Sequence, residues 1–289
     1  VGPRGGSCHP AYYLTMNPRY QADIARALGK LVGRGLVYKG KKPVHWCIHC
    51  RTALAEAEVE YDDHSSPSIY VEFPLSPASV DELQTRLPAL GGRAVSVLIW
   101  TTTPWTIPSN LAVAFHPEFD YAAFDVDGRA VIIAAGLAET VGRIVGRAFD
   151  RPVARMKGAE LEGITFQHPL YDRASLAVLG DYVTLEQGTG AVHTAPGHGA
   201  DDFLTGIKYG LEIYAPIGPG GHFLDSVQLF GGQRVFDANS KTDIALTAGA
   251  FGALGVTIRT LCDEGDEVIF LSPPWFFYEL MIASAGARP

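Results

Sequence analysis

The sequence predicts an α+β protein: a β-barrel-like core of short strands, preceded by an N-terminal helical and knuckle segment and followed by a short α/β fragment. Three observations carry this. Through the middle of the chain, short alternating or apolar runs are broken by Gly, Pro and Asp, which is strand texture. Near the N-terminal end, apolar residues recur at helical spacing. Beyond about residue 239 the pattern changes to strand–helix–strand, which implies a parallel strand pair.

Asn17-Pro18 is a helix start, a capping side chain followed by Pro at the first helical position. Ile24, Leu28, Leu31 and Val32 continue it, and Gly35 stops it. Lys39 to Pro43 is a basic loop, and His45 to Cys50 a tight knuckle. Glu56 to Tyr61 alternates as a strand does, and Ile69–Phe73 and Ala94–Trp100 are further strands. Tyr121–Asp125 and Ala130–Ala134 form a hairpin around Asp127-Gly128. Leu137–Val145 and Asp201–Tyr209 are helices; Val183–Glu186 and Ala191–Thr194 are strands flanking Gly188-Thr-Gly190. In the tail, Ile244–Thr247, Ala250–Cys262 and Ile269–Leu271 make the strand–helix–strand unit.

With 47% hydrophobic and 19% charged residues among 289, the chain can bury a core and is not mainly disordered. No apolar run is long enough to cross a membrane as a helix. Four cysteines, Cys8, Cys47, Cys50 and Cys262, do not make a disulfide framework, and point to a reducing, cytoplasmic setting. The start at Val1, with neither Met nor a signal peptide, reads as an internal cut or a read-through join. A net charge of −8 argues against gripping nucleic acid along the whole surface, but leaves room for a pocket that takes only an RNA end. Lys30, Arg34, Lys39, Lys41 and Lys42 cluster locally; they read either as a solvated helix end or as an RNA contact.

Two segments carry the chemistry. In Trp100-Thr-Thr-Thr-Pro-Trp-Thr-Ile-Pro-Ser-Asn110, Thr101, Thr102 and Thr103 end an apolar strand and two Pro fix the turn. A stiff β-branched Thr makes a hard wall that also hydrogen-bonds. In Gly188-Thr-Gly-Ala-Val-His-Thr-Ala-Pro-Gly-His-Gly-Ala-Asp-Asp202, Gly188 and Gly190 allow close backbone approach to a ligand, and His193 and His198 can donate, accept or move a proton. Asp201 and Asp202 stand at a helix start, where they either cap it or hold a cationic amine.

These segments, with Lys42-Pro-Val-His-Trp-Cys-Ile-His-Cys-Arg-Thr-Ala-Leu-Ala-Glu-Ala-Glu-Val-Glu-Tyr61, resemble bacterial isoleucyl-tRNA synthetases, which are class I enzymes, around their inserted editing domain. The resemblance runs from about Tyr13 to Asn239, and Leu14-Thr-Met-Asn17 and Ala55-Glu-Ala-Glu-Val59 favour the isoleucine enzymes over the valyl and leucyl ones, whose editing domain has the same fold. It implies post-transfer editing, because one methylene is worth too little for a single pocket to reject valine well enough. Thr102, with Thr101 and Thr103, would bar isoleucine; His193 would shape the sieve; Asp202 would pair with the α-ammonium; Asn110 would order the site. Gly188, Gly190, His198 and Asp201 would line the substrate, and Trp105 either packs in the core or stacks on a base. The attacking group would be water, and the partner the acceptor end of tRNA(Ile) carrying valine, with no membrane and no cofactor for the hydrolysis.

Cys47-x-x-Cys50 is half of a tetrahedral zinc site, whose partners in the resembling family come from a second knuckle that has no counterpart here. The HxGH-type and KMSKS-type signatures of the ATP chemistry are absent, so the chain is not expected to activate isoleucine. From about Thr242 the tail resembles fold-type I aminotransferases: Gly249 and Ala250 match the turn that holds the phosphate of pyridoxal phosphate, and Trp275 the ring that stacks on it. The Schiff-base lysine of that family is missing, so pyridoxal phosphate is not expected. The alternatives to an editing fragment are an aminotransferase fragment or a non-catalytic chimeric product of a misassembled reading frame. The expected segments are a connector at 1–42, a half zinc-knuckle and strand at 43–64, the editing domain at 65–239 and the aminotransferase-like fragment at 240–289.

Overall fold

The computed structural model describes residues 14–63, 65–239 and 242. The chain divides into two units, Val1–Lys42 and Pro43–Pro289. In the first, helix α1 (Pro18–Gly33) starts as its sequence requires: the Asn17 side chain accepts from the Arg19 N–H at 2.9 Å. It stops at Gly35, whose φ of 69° lets Leu36 N–H reach back to Leu31 O at 3.1 Å.

The second unit begins with a hairpin of β1 (His45–Cys47) and β2 (Thr52–Leu54), pairing Cys47 with Thr52. Trp46 Nε1–H anchors it by donating to Pro219 O at 2.9 Å. The strand expected over Glu56–Tyr61 is not there. Glu56–Glu58 is a single tight helical turn, closed by the Glu58 carboxylate accepting from Ala55 N–H at 2.8 Å. Alternation alone does not make a strand where no neighbour offers a ladder.

Nine of the remaining elements build the frame of the site. A five-stranded sheet runs in the order β3 (Ile69–Pro74), β4 (Val95–Thr101), β7 (Arg129–Ala134), β6 (Asp120–Val126), β8 (Pro152–Lys157). The β6–β7 hairpin turns through Asp127 and Gly128, both at positive φ (53° and 82°), which matches the twist of the strands on either side. A four-stranded sheet runs β11 (Ala191–Thr194), β5 (Ala112–Phe115), β10 (Ala174–Leu179), β9 (Thr165–Gln167). The expected barrel is therefore two sheets. They are stitched edgewise, by Ser76 N–H to Thr165 O at 2.9 Å and Ala134 N–H to Thr189 O at 2.8 Å, and among the described residues they do not close into one barrel.

Phe73, Ile99, Phe115, Tyr121, Ile132 and Phe166 fill the core between the sheets, each fully buried. Each such side chain contributes about 1.5–3 kcal/mol. Tyr121 also ties the sheets together: its hydroxyl donates to Gly190 O at 2.6 Å and accepts from His116 N–H at 3.0 Å. Burial pushes that phenol up to about 12. Helices α2 (Val80–Arg86), α3 (Ala138–Val145) and α4 (Ala200–Lys208) lie outside the sheets in sequence, and α3 ends on Gly146 at φ 67°. Val183–Glu186 is irregular rather than a strand. Val183 plugs an apolar cluster with Ala112, Ala114 and Val178, while 184–187 stay exposed, so no ladder forms. The strand–helix–strand expectation for the tail lies outside the described residues, as do Gly249, Ala250 and Trp275.

Candidate functional site

Thr101 is the last residue of strand β4, and the Pro-bounded helical turn Pro104–Ser109 follows it. The hydroxyls at this corner are linked. Thr103 N–H donates to Thr101 Oγ1 at 3.1 Å, and Thr101 Oγ1 and Thr103 Oγ1 are 3.2 Å apart. Thr106 Oγ1–H donates to Thr103 O at 2.8 Å. Thr102 and Thr103 are exposed and Thr101 is buried.

His193 comes from β11, which pairs with β5 and so places the imidazole beside the Thr corner. Its Nε2 lies 2.8 Å from Thr106 Oγ1 and its Nδ1 3.4 Å from Asn110 Nδ2. Burial holds its pKa down at about 4, with His198 adding to the shift, so the ring is neutral. Asn110 is itself fully buried, bonded to Ser175 Oγ at 2.7 Å and Ala112 O at 2.8 Å.

The loop after β11 leads into α4. Asp202, in the first turn of that helix, is half-buried, and burial raises its carboxyl to about 6. Two influences act on it besides: the Ala195 N–H bond lowers it and Asp201 raises it. His198 Nε2 sits 3.0 Å from Ser109 Oγ, and burial takes its pKa down to about 4.

A cavity of about 590 Å³ opens among these groups. Thr101, Thr102, Thr103, Gly188, Gly190, His193, His198 and Asp202 all line it. Gly188 and Gly190 are at φ 76° and 75°, and a Cβ on Gly188 would meet the Trp100 ring at 3.1 Å. Three residues singled out from the sequence lie elsewhere. Asn110 stands behind His193, off the cavity wall. Asp201 is exposed on α4. Trp105 packs edge-on to His198 at 5.3 Å and faces a second groove of about 740 Å³, which His198 shares. Sequence reasoning missed Thr106, Tyr182, Thr184, Glu186 and Gln187, which also line the first cavity. Thr106 lay within the quoted motif and its spacing from Thr103 was a usable signal; Tyr182 to Gln187 had none beyond their nearness to Gly188.

Cys47 and Cys50 are free thiols in the knuckle, with Cys50 N–H donating to Cys47 Sγ at 3.3 Å. That bond lowers the Cys47 pKa. Arg51 follows at φ 53°. Among the described residues no third Cys, His, Asp or Glu joins them, so the residues present do not make up a zinc site.

The chain matches the family described as tRNA synthetases class I (I, L, M and V) over residues 9–283. It is similar to the isoleucine–tRNA ligase of Nitratidesulfovibrio vulgaris (strain DSM 19637 / Miyazaki F), with 51% identity over 229 residues, 79% of this chain and 24% of that protein. Against the isoleucine–tRNA ligase of Syntrophotalea carbinolica (strain DSM 2380 / NBRC 103641 / GraBd1) the identity is 48% over 235 residues, 81% of this chain and 25% of that one. The chain thus spans about a quarter of the length of the curated relatives it matches. Its fold is similar to the crystal structure of GlLeuRS-CP1, with a TM-score of 0.51 and 16% identity, covering 61% of this chain and 93% of that one. The family match extends into the segment that resembles an aminotransferase, and the aminotransferase alternative is not supported. On the length of that match and the identity to its relatives, the chain belongs to the class I tRNA synthetases of the isoleucine, leucine, methionine and valine group.

Proposed function

We propose that residues 65–239 are an editing domain that hydrolyses valine from mischarged Val-tRNA(Ile), with 1–42 a connector to a synthetase body and 43–64 a knuckle segment. The observation that supports this most is that Thr102 and Asp202 line one cavity of a size to hold an aminoacyl ester. Thr101, Thr102 and Thr103 form the wall that a longer side chain meets. His193, neutral and held at both nitrogens, shapes the sieve. Asp202, ionised above about pH 6, pairs with the α-ammonium of the bound amino acid. Water, ordered by these polar groups and a ribose hydroxyl of the RNA, attacks the ester carbon; the esterified ribose oxygen leaves and takes up a proton, restoring the tRNA hydroxyl, and free valine departs. No cofactor takes part in this scheme. The partner is the acceptor end of the tRNA, met in the cytoplasm; no described helix is long and apolar enough to cross a membrane.

The test is deacylation by the purified chain. Val-tRNA(Ile) is hydrolysed well above the spontaneous rate and Ile-tRNA(Ile) is spared. Equal rates on both, or none on either, overturns the reading.

A further inference from the structure

Two independent chains of hydrogen bonds converge on His193 and fix which of its nitrogens carries the proton. One runs through Asn110. A backbone carbonyl only accepts, so the Asn110 atom 2.8 Å from Ala112 O is the amide nitrogen. Its oxygen then takes the Ser175 hydroxyl hydrogen at 2.7 Å. The same amide nitrogen faces His193 Nδ1 at 3.4 Å, and an N–H aimed there needs a lone pair. The second runs through Thr106. Its hydroxyl hydrogen goes to Thr103 O at 2.8 Å, again because a carbonyl only accepts. That leaves the Thr106 oxygen as acceptor for His193 Nε2, 2.8 Å away. Both chains demand the same tautomer.

We propose that Ser175, through Asn110, is a positioning residue that locks His193 as the Nε2–H tautomer, making the ring a fixed wall that carries no proton in the hydrolysis. Ser175 lies on β10 and is fully buried, so it reaches the site only through Asn110. The lock is directional: His193 donates to Thr106, and Thr106 to the Thr103 carbonyl, so the backbone of the Thr wall is held from behind. The depressed basicity of the ring agrees with this, since neither nitrogen faces an anion. His198 is the ionisable group that acts on it most, and it too is held neutral by burial. The functional half of this inference rests on the editing reading; the tautomer itself does not.

The experiment uses the full 289-residue chain labelled with ¹⁵N-histidine, reading two-bond ¹H–¹⁵N correlations, with the His193 signal identified by its loss in His193→Gln. The wild-type ring shows the Nε2–H pattern, unchanged from pH 8 to 5. Ser175→Ala leaves Asn110 Oδ1 without its donor, so that Ala112 O alone orients the amide and Thr106 alone holds the ring, and an Nδ1–H fraction appears beside the Nε2–H form. It also lowers kcat on Val-tRNA(Ile) about tenfold, with KM little changed. Should Ser175→Ala not fold, Asn110→Asp decides: an acceptor opposite Nδ1 drives the ring to the Nδ1–H form or to imidazolium. A wild-type Nδ1–H pattern, or both variants retaining the wild-type pattern, overturns the lock. A wild-type chain with the Nε2–H pattern but no deacylation keeps the lock and removes the editing reading.

Discussion

Asp202 Oδ2 accepts a hydrogen bond from the Ala195 N–H at 2.8 Å, which closes the glycine-bounded loop onto the first turn of α4. The bond fixes one carboxylate oxygen of a residue that lines the cavity. Asp202→Asn can keep the bond through its amide oxygen while losing the charge. We expect a melting temperature at or above that of the wild type and a fall of roughly a hundredfold in kcat/KM on Val-tRNA(Ile), the size of a lost partner to a desolvated charge. Steady-state deacylation beside thermal melts measures both, and full activity in the variant would remove Asp202 from substrate binding.

The pH profile follows from the same carboxyl. Burial raises it from 3.8 to about 6, and only its ionised form attracts an ammonium. kcat/KM for Val-tRNA(Ile) should therefore rise with pH through about 6 and level off above it, while Asp202→Asn loses that inflection. An identical inflection in the variant would assign it to another group.

Stability runs the same way for a different reason. His168, His193 and His198 are each held down to about 4 from 6.5 by burial. A depressed imidazole adds stability above 6.5 that is lost as pH falls through 4, because the unfolded chain takes up the proton first. Asp202 is raised, so its contribution is present below 3.8 and is lost as pH rises through 6. Between 4 and 6 the three rings outweigh the single carboxyl. The melting temperature should fall steadily from pH 7 to pH 5, and a flat or rising trend in calorimetry would contradict the burial of these rings.

Thr102 tests the sieve. It lines the cavity and is exposed, so trimming it changes the wall without opening the core. Thr102→Ala should raise hydrolysis of Ile-tRNA(Ile) by at least about tenfold, the discrimination carried by one methylene, and leave Val-tRNA(Ile) within a few-fold. Continued rejection of isoleucine by the variant would move the wall to another residue.

Much of this was legible where the signal is local. Asn17-Pro18 and Gly35 bound α1 because capping chemistry lies within a few residues of the helix it serves. Asp127-Gly128 marks its hairpin because only such residues tolerate positive φ in succession. Glu56–Tyr61 and Val183–Glu186 misled because a strand exists only with a partner, and partners come from distant sequence. The site divides in the same way. Thr101 to Thr103 and the Gly188–Asp202 stretch stand out as motifs. Ser175, an ordinary strand serine, bears on the cavity only because β10 lies beside β5, a pairing no local pattern encodes.

Gly190 joins fold and cavity at one atom. Its φ is 75°, its carbonyl accepts the Tyr121 hydroxyl, and a Cβ on it would lie 2.3 Å from the Ala134 Cβ. Gly92 has nearly the same φ, 73°, with nothing within 4 Å of its would-be Cβ. Gly92→Ala should therefore cost only the left-handed backbone term, about 1 kcal/mol. Gly190→Ala adds overpacking of about 1–3 kcal/mol and pushes β11 away from the end of β7. Because Gly190 also lines the cavity, the same push displaces its wall, so deacylation should fall together with stability in Gly190→Ala and stay at the wild-type level in Gly92→Ala. Urea midpoints and initial rates on the two variants separate the terms; equal midpoints would mean that the strand end yields to a methyl group and that the close approach of Gly190 to Ala134 is not what holds the two sheets in place.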